Sequence, residues 1–196
     1  MRGVVEQPAG LRYEADLLTA DQERDLLTAV TAYDFDQVVM HGQAAKRTVC
    51  HFGVGYEYDS ARTAPGRPLP TELVGLRTAC AVLADVDPER LVEALVTRYP
   101  PGASIGWHRD APIFGSTVVG VSLLSACTMR FQRRAGGERR VFELSLQPRS
   151  GYVLSGAARA TWQHSIPPVP ELRYSVTFRS LRGHRSPGQP SRHGVR

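Results

Sequence analysis

Cysteine is scarce in this chain of 196 residues, and the three present, Cys50, Cys80 and Cys127, are widely spaced and odd in number. That excludes a disulfide scaffold and a paired-cysteine zinc site, and predicts reduced thiols packed in the core of a cytoplasmic protein. Long apolar runs are also missing. None approaches the ~20 residues of a membrane span, and the opening stretch MRGVVEQP carries an early acid and nothing like a secretory signal. Hydrophobic residues at 42% and charged residues at 22% exclude a disordered chain and predict one soluble domain with a real core.

The formal charge is +5, but it is unevenly spread. From Arg182 onward come Arg182, Arg185, Arg192 and Arg196 with no acid, so the preceding chain is close to neutral. Residues 182–191 contain no aliphatic side chain, which predicts an unfolded basic tail over 182–196. Such a tail serves either as a solubilising terminus or as a mobile phosphate contact. The charge alone therefore does not make the folded part, residues 1–181, a nucleic-acid binder.

Thr19-Ala20-Asp21-Gln22 reads as a capping box, with Leu26, Leu27 and Val30 at helical spacing behind it. A second helix is predicted from Pro70-Thr71-Glu72, carrying Leu73, Leu76, Ala79, Cys80 and Leu83. Between them, residues 34–67 are polar and aromatic, broken by Gly53 and Gly55, and are expected to be extended or looped with exposed rings. Asp87-Pro88-Glu89-Arg90 reads as a turn or short helical start. Beyond Leu91 the chain becomes a series of β runs separated by Gly and Pro turns, with Arg134-Ala135-Gly136-Gly137-Glu138 marking a hairpin. The expected architecture is mainly β with flanking N-terminal helices, an α+β two-sheet jelly roll without a second domain.

The chemistry concentrates in Trp107-His108-Arg109-Asp110. At a strand or its end, His108 and Asp110 point to the same side. The pair alone is weak, but of six histidines only His108 and His164 lie in strand context. Two imidazoles and one carboxylate form the ligand set of a non-haem Fe(II) oxygenase, with the opposite positions open. Downstream, Arg173, Ser175, Thr177 and Arg179 alternate onto one face of a strand, and Tyr174, Val176 and Phe178 onto the other. Two arginines on one face are either snorkelling on a solvated strand or waiting for an anion, and arginine suits bidentate carboxylate recognition.

The order His108-x-Asp110, His164, then Arg173-Tyr174-Ser175-Val176-Thr177-Phe178-Arg179 resembles the AlkB family of Fe(II)/2-oxoglutarate dioxygenases, over roughly residues 90 to 181. The resemblance implies a double-stranded β-helix, a jelly roll in which His108, Asp110 and His164 bind Fe(II). It implies that Arg173, with Tyr99, holds the distal carboxylate of 2-oxoglutarate, and that Arg179 lies near the iron-proximal carboxylate, with Ser175 in the same cofactor site. O2 is the other co-substrate, and the reaction is oxidative demethylation of N-alkylated bases in DNA or RNA with loss of formaldehyde. Two amides common in the family are shorter hydroxyls here, Thr97 and Ser175. Arg159 matches an arginine frequent ahead of the second histidine, where it supports the site from behind or pairs with an acid.

Substrate contacts are expected from residues 34–67 as a lid, with Phe52, Tyr56 and Tyr58 as stacking or phosphate-contact residues, or else as packing at the sheet edge. The family's lid tryptophan is replaced near Val49, and an acid two residues past the metal aspartate is replaced by Pro112. The hairpin arginines Arg130, Arg133, Arg134, Arg139 and Arg140 face only Glu138 in sequence, and read as a phosphate patch or a solvated hairpin. Trp107 and Arg109, by alternation, face away from the ligands into core and surface respectively. The competing readings are a 2-oxoglutarate-dependent hydroxylase of a protein or small molecule, and a non-catalytic jelly-roll module that binds nucleic acid. A monomer is expected.

Overall fold

The computed structural model describes residues 4–40, 42–57 and 62–183, with the side chains of residues 40, 55–57 and 62–65 left undescribed. The expected basic tail lies outside this range apart from Arg182 and Gly183.

The chain begins with β1 (Val4–Val5), β2 (Leu11–Glu14), α1 (Ala20–Thr31), β3 (Asp36–Met40), β4 (Gln43–Glu57), β5 (Arg62–Pro65) and α2 (Thr71–Ala84). Strands then dominate: β6 (Glu93–Tyr99), β7 (Ile105–His108), β8 (Phe114–Leu123), β9 (Cys127–Ala135), β10 (Glu138–Leu146) and β11 (Gly151–Leu154). A short α3 (Gly156–Ala160) leads to β12 (Gln163–Ile166) and β13 (Arg173–Leu181).

The capping box forms as expected. Thr19 Oγ1 accepts the Gln22 N–H at 3.2 Å and Gln22 Oε1 accepts the Thr19 N–H at 2.8 Å. Leu26 and Val30 of α1 and Leu73, Leu76 and Cys80 of α2 are buried against one face of a sheet. The Asp87–Arg90 turn is a single 3₁₀ turn capped by Asp87.

Among the described residues the strands form two sheets. The smaller runs β1-β10-β9-β12-β7, and the larger runs β2-β11-β8-β13-β6-β4-β3, with β5 paired to the far end of β4. The two sheets enclose one core, around Phe131, Trp162 and Tyr99, and the helices cover a second on the outer face of the larger sheet. This is the jelly roll predicted, with more strands than the sequence suggested. β13 is central, hydrogen-bonded to β6 and β8. Its Tyr174, Val176 and Phe178 sink under the helices, so Arg173, Ser175, Thr177 and Arg179 must enter the space between the sheets. All four are buried, and the reading of a solvated outer face is therefore incorrect.

Where it is described, the segment 34–67 is extended, one of the two expected readings, but its Phe52 ring is not exposed. It is built into the large sheet through β3 and β4, because Thr48 to Gly53 pair with β6. Phe52 is buried and packs edge-on against Tyr33, ring centres 5.0 Å apart, so it is a core residue and not a substrate contact. Gly53 marks where β4 leaves β6 and turns to β5. Its φ is +80°, and a Cβ there would sit 2.1 Å from the Val92 carbonyl oxygen. Gly53→Ala combines a left-handed backbone with a clash against fixed main chain, and should cost at least about 2 kcal/mol. Urea denaturation would show it as a lower midpoint with an unchanged slope.

Candidate active site

The strand pairing that makes the small sheet also assembles the centre. β7 and β12 are antiparallel neighbours, and His108 and His164 are direct partners, their rings 4.2 Å apart. Asp110 lies just past the end of β7, in the loop to β8, and is buried. Its Oδ2 stands 3.8 Å from His164 Nε2 and has no hydrogen-bond partner, while its Oδ1 accepts from Arg179 Nε at 2.8 Å. Arg159 from α3 spends its NH2 on the carbonyls of Ala111 and Phe114, at 3.1 and 3.2 Å. It therefore pins the loop that carries Asp110 from behind, and among the described residues it forms no ion pair with an acid.

The donor chemistry fits a divalent cation. Ligating histidines must be neutral and often donate their second nitrogen to a carbonyl. His108 Nδ1 lies 2.9 Å from the Gly106 carbonyl, which fixes the proton on Nδ1 and leaves Nε2 as the lone-pair donor. Burial, with His108 alongside, pushes His164 down to about 3. Burial also lowers His108, against the opposing pull of the Gly106 carbonyl and Asp110. For Asp110, burial alone would raise the carboxyl, but Arg179 foremost, then His164 and Arg159, hold it well below the usual carboxylate range. As placed, no three His, Cys, Asp or Glu side chains among the described residues stand close enough together to hold a metal ion, so the fit is one of donor chemistry and of the His164–Asp110 juxtaposition. The unpaired Oδ2 facing His164 is the orphaned buried acceptor that an ion would satisfy.

These shifts carry a sign for stability. Between about pH 6.5 and about pH 3 the unfolded chain protonates the His164 imidazole while the folded chain does not. The unfolded state then holds more protons, so stability of the chelator-treated protein falls as pH drops through that window. Asp110 acts in the same direction, its contribution lost only at lower pH. The urea midpoint should fall from pH 7 to pH 5, and the fall should be smaller in His164→Gln. A pH-independent midpoint would contradict this account.

The other half of the site comes from β13 and β6. Their register sets Arg173 opposite Tyr99, Ser175 opposite Thr97, and Arg179 opposite Glu93. Arg173 is 1% exposed. Its Nε donates to Ser122 Oγ at 3.2 Å, its guanidinium stacks 5.0 Å from the Tyr99 ring centre, and NH1 has no partner. A buried cation without a carboxylate is costly unless an anion arrives. Arg179 is instead compensated: NH1 donates to Glu93 at 3.1 and 3.0 Å as Nε holds Asp110.

The structure thus brings His108, Asp110 and His164 from the smaller sheet, and Tyr99, Arg173, Ser175 and Arg179 from the larger, to the interior between the two sheets. It does not bring the hairpin there. Arg133 pairs with Glu6 and stacks 5.0 Å over Trp162, and Arg140 is bridged by Glu6 and Glu138. Arg130 pairs with Glu143, while Arg134 and Arg139 are exposed, Arg139 donating to Gln132 Oε1 at 3.2 and 2.9 Å. The hairpin is much less of a free basic patch than its sequence suggests, since Glu6 folds onto it from β1. The Tyr56 side chain and Tyr58 lie outside the described residues. Trp107 is 39% exposed and not in the core, because β7 is the edge of its sheet. Arg109 stays at the surface, reaching the Ala160 carbonyl at 3.4 Å.

Sequence reasoning missed Glu93, Ser122 and Tyr152, all facing this interior. For Glu93 a signal existed: a carboxylate inside the apolar run Leu91–Val96 requires a buried partner. For Ser122 and Tyr152 the signal was structural, as with Gly120, whose missing Cβ leaves room for the Tyr152 ring.

Residues 10–185 match the 2OG-Fe(II) oxygenase superfamily. The chain is 28% identical over 177 residues to the mouse tRNA (carboxymethyluridine(34)-5-O)-methyltransferase ALKBH8, which covers 85% of this chain and 25% of that protein. It is 27% identical over 198 residues to the Arabidopsis thaliana alkylated DNA repair protein ALKBH8 homolog, over 88% of this chain and 56% of that one. It therefore spans a quarter to about half the length of these relatives. Among solved structures it is similar to OsALKBH1, with a TM-score of 0.68 at 14% identity over 89% of this chain and 98% of that chain. A Burkholderia pseudomallei oxidoreductase of the 2OG-Fe(II) oxygenase family gives 0.64 at 15% identity, over 92% and 96%. These two share the fold. The chain belongs to the 2OG-Fe(II) oxygenase superfamily.

Proposed function

We propose that this protein is an Fe(II)- and 2-oxoglutarate-dependent demethylase of N-alkylated bases in DNA or RNA. His108, Asp110 and His164 hold the metal, and Arg173 against Tyr99 takes the distal carboxylate of 2-oxoglutarate, with Ser175 and Thr97 flanking it. The observation that carries the reading is the pairing of two unmet demands on one interior face. Asp110 Oδ2 is a buried acceptor without a donor, and Arg173 NH1 is a buried donor without an acceptor. Fe(II) with 2-oxoglutarate and O2 supplies the oxidising equivalent for hydroxylating an alkyl carbon. The chain's own residues order the ligands, balance charge and keep the interior dry. Arg179 is the brace of Asp110 in this arrangement.

The substrate enters beside β4. Arg47, Val49 and His51 alternate onto the interior side of that strand, and all three are half-buried. Arg47 NH1 reaches the Ser104 carbonyl at 3.3 Å and its charge is felt at His108. Lys46 sits above Gly102, and Arg98 is exposed at the end of β6. This basic rim suits a phosphate backbone better than the partly neutralised hairpin does. A base must leave its stack to place an N-methyl group at a metal this deep.

The deciding experiment is formaldehyde release from N-methylated oligonucleotides with Fe(II), 2-oxoglutarate and O2, compared between DNA and RNA. Release matched by succinate is expected. Succinate without formaldehyde from any methylated strand would move the substrate to a protein or small molecule.

A further inference from the structure

Glu93 has no part in the family resemblance and none in the ligand set, yet it is among the most buried charges in the chain. It lies on β6 directly opposite Arg179, and its side chain is 0% exposed. Both of its oxygens meet Arg179 NH1, and Oε1 also stands 3.4 Å from His51 Nδ1, close enough for an ion pair though not aligned as a hydrogen bond. Arg179 in turn stacks 4.8 Å over the Phe114 ring and gives Nε to Asp110 Oδ1.

We propose that Glu93 is a positioning residue for the metal centre: by anchoring Arg179 it decides which oxygen of Asp110 is presented to the metal, and it holds His51 on the substrate wall. This rests on the ligand assignment above. The physical argument is one of geometry. A guanidinium facing a single carboxylate tends to pair with it fork to fork and occupy both oxygens. With NH1 held by Glu93, Arg179 reaches Asp110 through Nε, and Oδ2 remains without a partner beside His164 Nε2. Charge points the same way. Two buried carboxylates share the Arg179 guanidinium, and the nearest other cation on the loop side, Arg159, is committed to carbonyls. His51 Nδ1 on the far side of Glu93 makes the same carboxylate a link between the substrate wall and the ligand loop.

Co(II) titration of the full chain, followed by its visible spectrum, tests this without turnover. Glu93→Gln keeps the shape and removes the charge, and should weaken Co(II) binding about tenfold or more, the scale seen when a residue orienting a metal ligand is lost. Glu93→Asp retains charge on a shorter stem and should recover part of that loss. Glu89→Gln, which breaks an exposed ion pair with Arg77, is the control and should bind as the wild type. A Glu93→Gln affinity within twofold of wild type would overturn the proposal. If Glu93→Gln does not fold, Glu93→Asp carries the test, and wild-type affinity there would overturn it. Failure of both to fold would overturn it too, reducing Glu93 to a counter-ion for the core. The demethylase reading can fail separately, through absence of formaldehyde, while Co(II) binding still judges Glu93.

Discussion

Asp110→Ala should yield a folded chain that has lost Fe(II) affinity by more than about a hundredfold and with it all 2-oxoglutarate turnover. Folding survives because Arg179, deprived of Asp110 Oδ1, keeps its two contacts to Glu93. The loss to stability is that of one charge-assisted hydrogen bond, about 1.5–3 kcal/mol. The readout is the visible charge-transfer band that forms anaerobically when Fe(II) and 2-oxoglutarate share one site. It should appear with the wild type and vanish in Asp110→Ala. A band of undiminished intensity in the variant would remove Asp110 from the ligand set. Asp110→Asn is the sharper variant, since its amide oxygen can still accept from Arg179 Nε. It should fold as well as the wild type and still bind metal poorly, separating ligation from structure.

Arg173→Leu is expected to act in opposite directions on binding and on stability. The wild-type guanidinium is 1% exposed, with Ser122, the Cys127 thiol and the Tyr99 ring as neighbours, and NH1 unmet. Replacing a buried, incompletely compensated charge by an apolar side chain of similar reach is often neutral or stabilising. The ligand-free variant should therefore unfold at the same temperature as the wild type or higher. Its affinity for 2-oxoglutarate should fall by about 2–5 kcal/mol, on the order of 30- to several-thousand-fold, because a fully desolvated charge pair is lost. Pyruvate, which keeps the keto acid but lacks the distal carboxylate, separates this effect from damage to the metal. Arg173→Leu should erase the wild type's preference for 2-oxoglutarate over pyruvate. Equal preference in the two proteins would place the distal carboxylate elsewhere.

The residues proposed as ligands stood out in the sequence because their chemistry is local and rare. Few histidines lie in strands, one is followed two positions on by a carboxylate, and two arginines recur at even spacing on one strand. The alternation of β13 was readable for the same reason, since a period of two assigns each side chain a face. What the period does not say is which face is wet. The dry face of Arg173 and Arg179 follows from β13 lying between β6 and β8 with helices behind it, and strand order is set by long-range pairing.

The misreadings share a cause. Phe52 looked like an exposed ring because its neighbours are polar, yet β4 joins the large sheet and alternation carries Phe52 to the helix side. The hairpin looked basic because Glu6, which neutralises it, is more than a hundred residues distant in sequence. Trp107 looked like core because it is tryptophan, and the edge position of β7 left it exposed. In each case a residue's neighbours in space are not its neighbours in the chain. The sequence by itself determined the fold class, the first helix with its capping box and the common face of the paired arginines, because those follow from residue type and short-range periodicity, and it singled out His108, Asp110 and His164 as the proposed ligands. Only the tertiary structure decided that Glu93 sits opposite Arg179, that Arg179 holds one oxygen of Asp110, and that Arg173 is buried with its NH1 unpartnered. These depend on strand register and burial, and a charge acquires its partner and its energetic cost only once the sheets close around it.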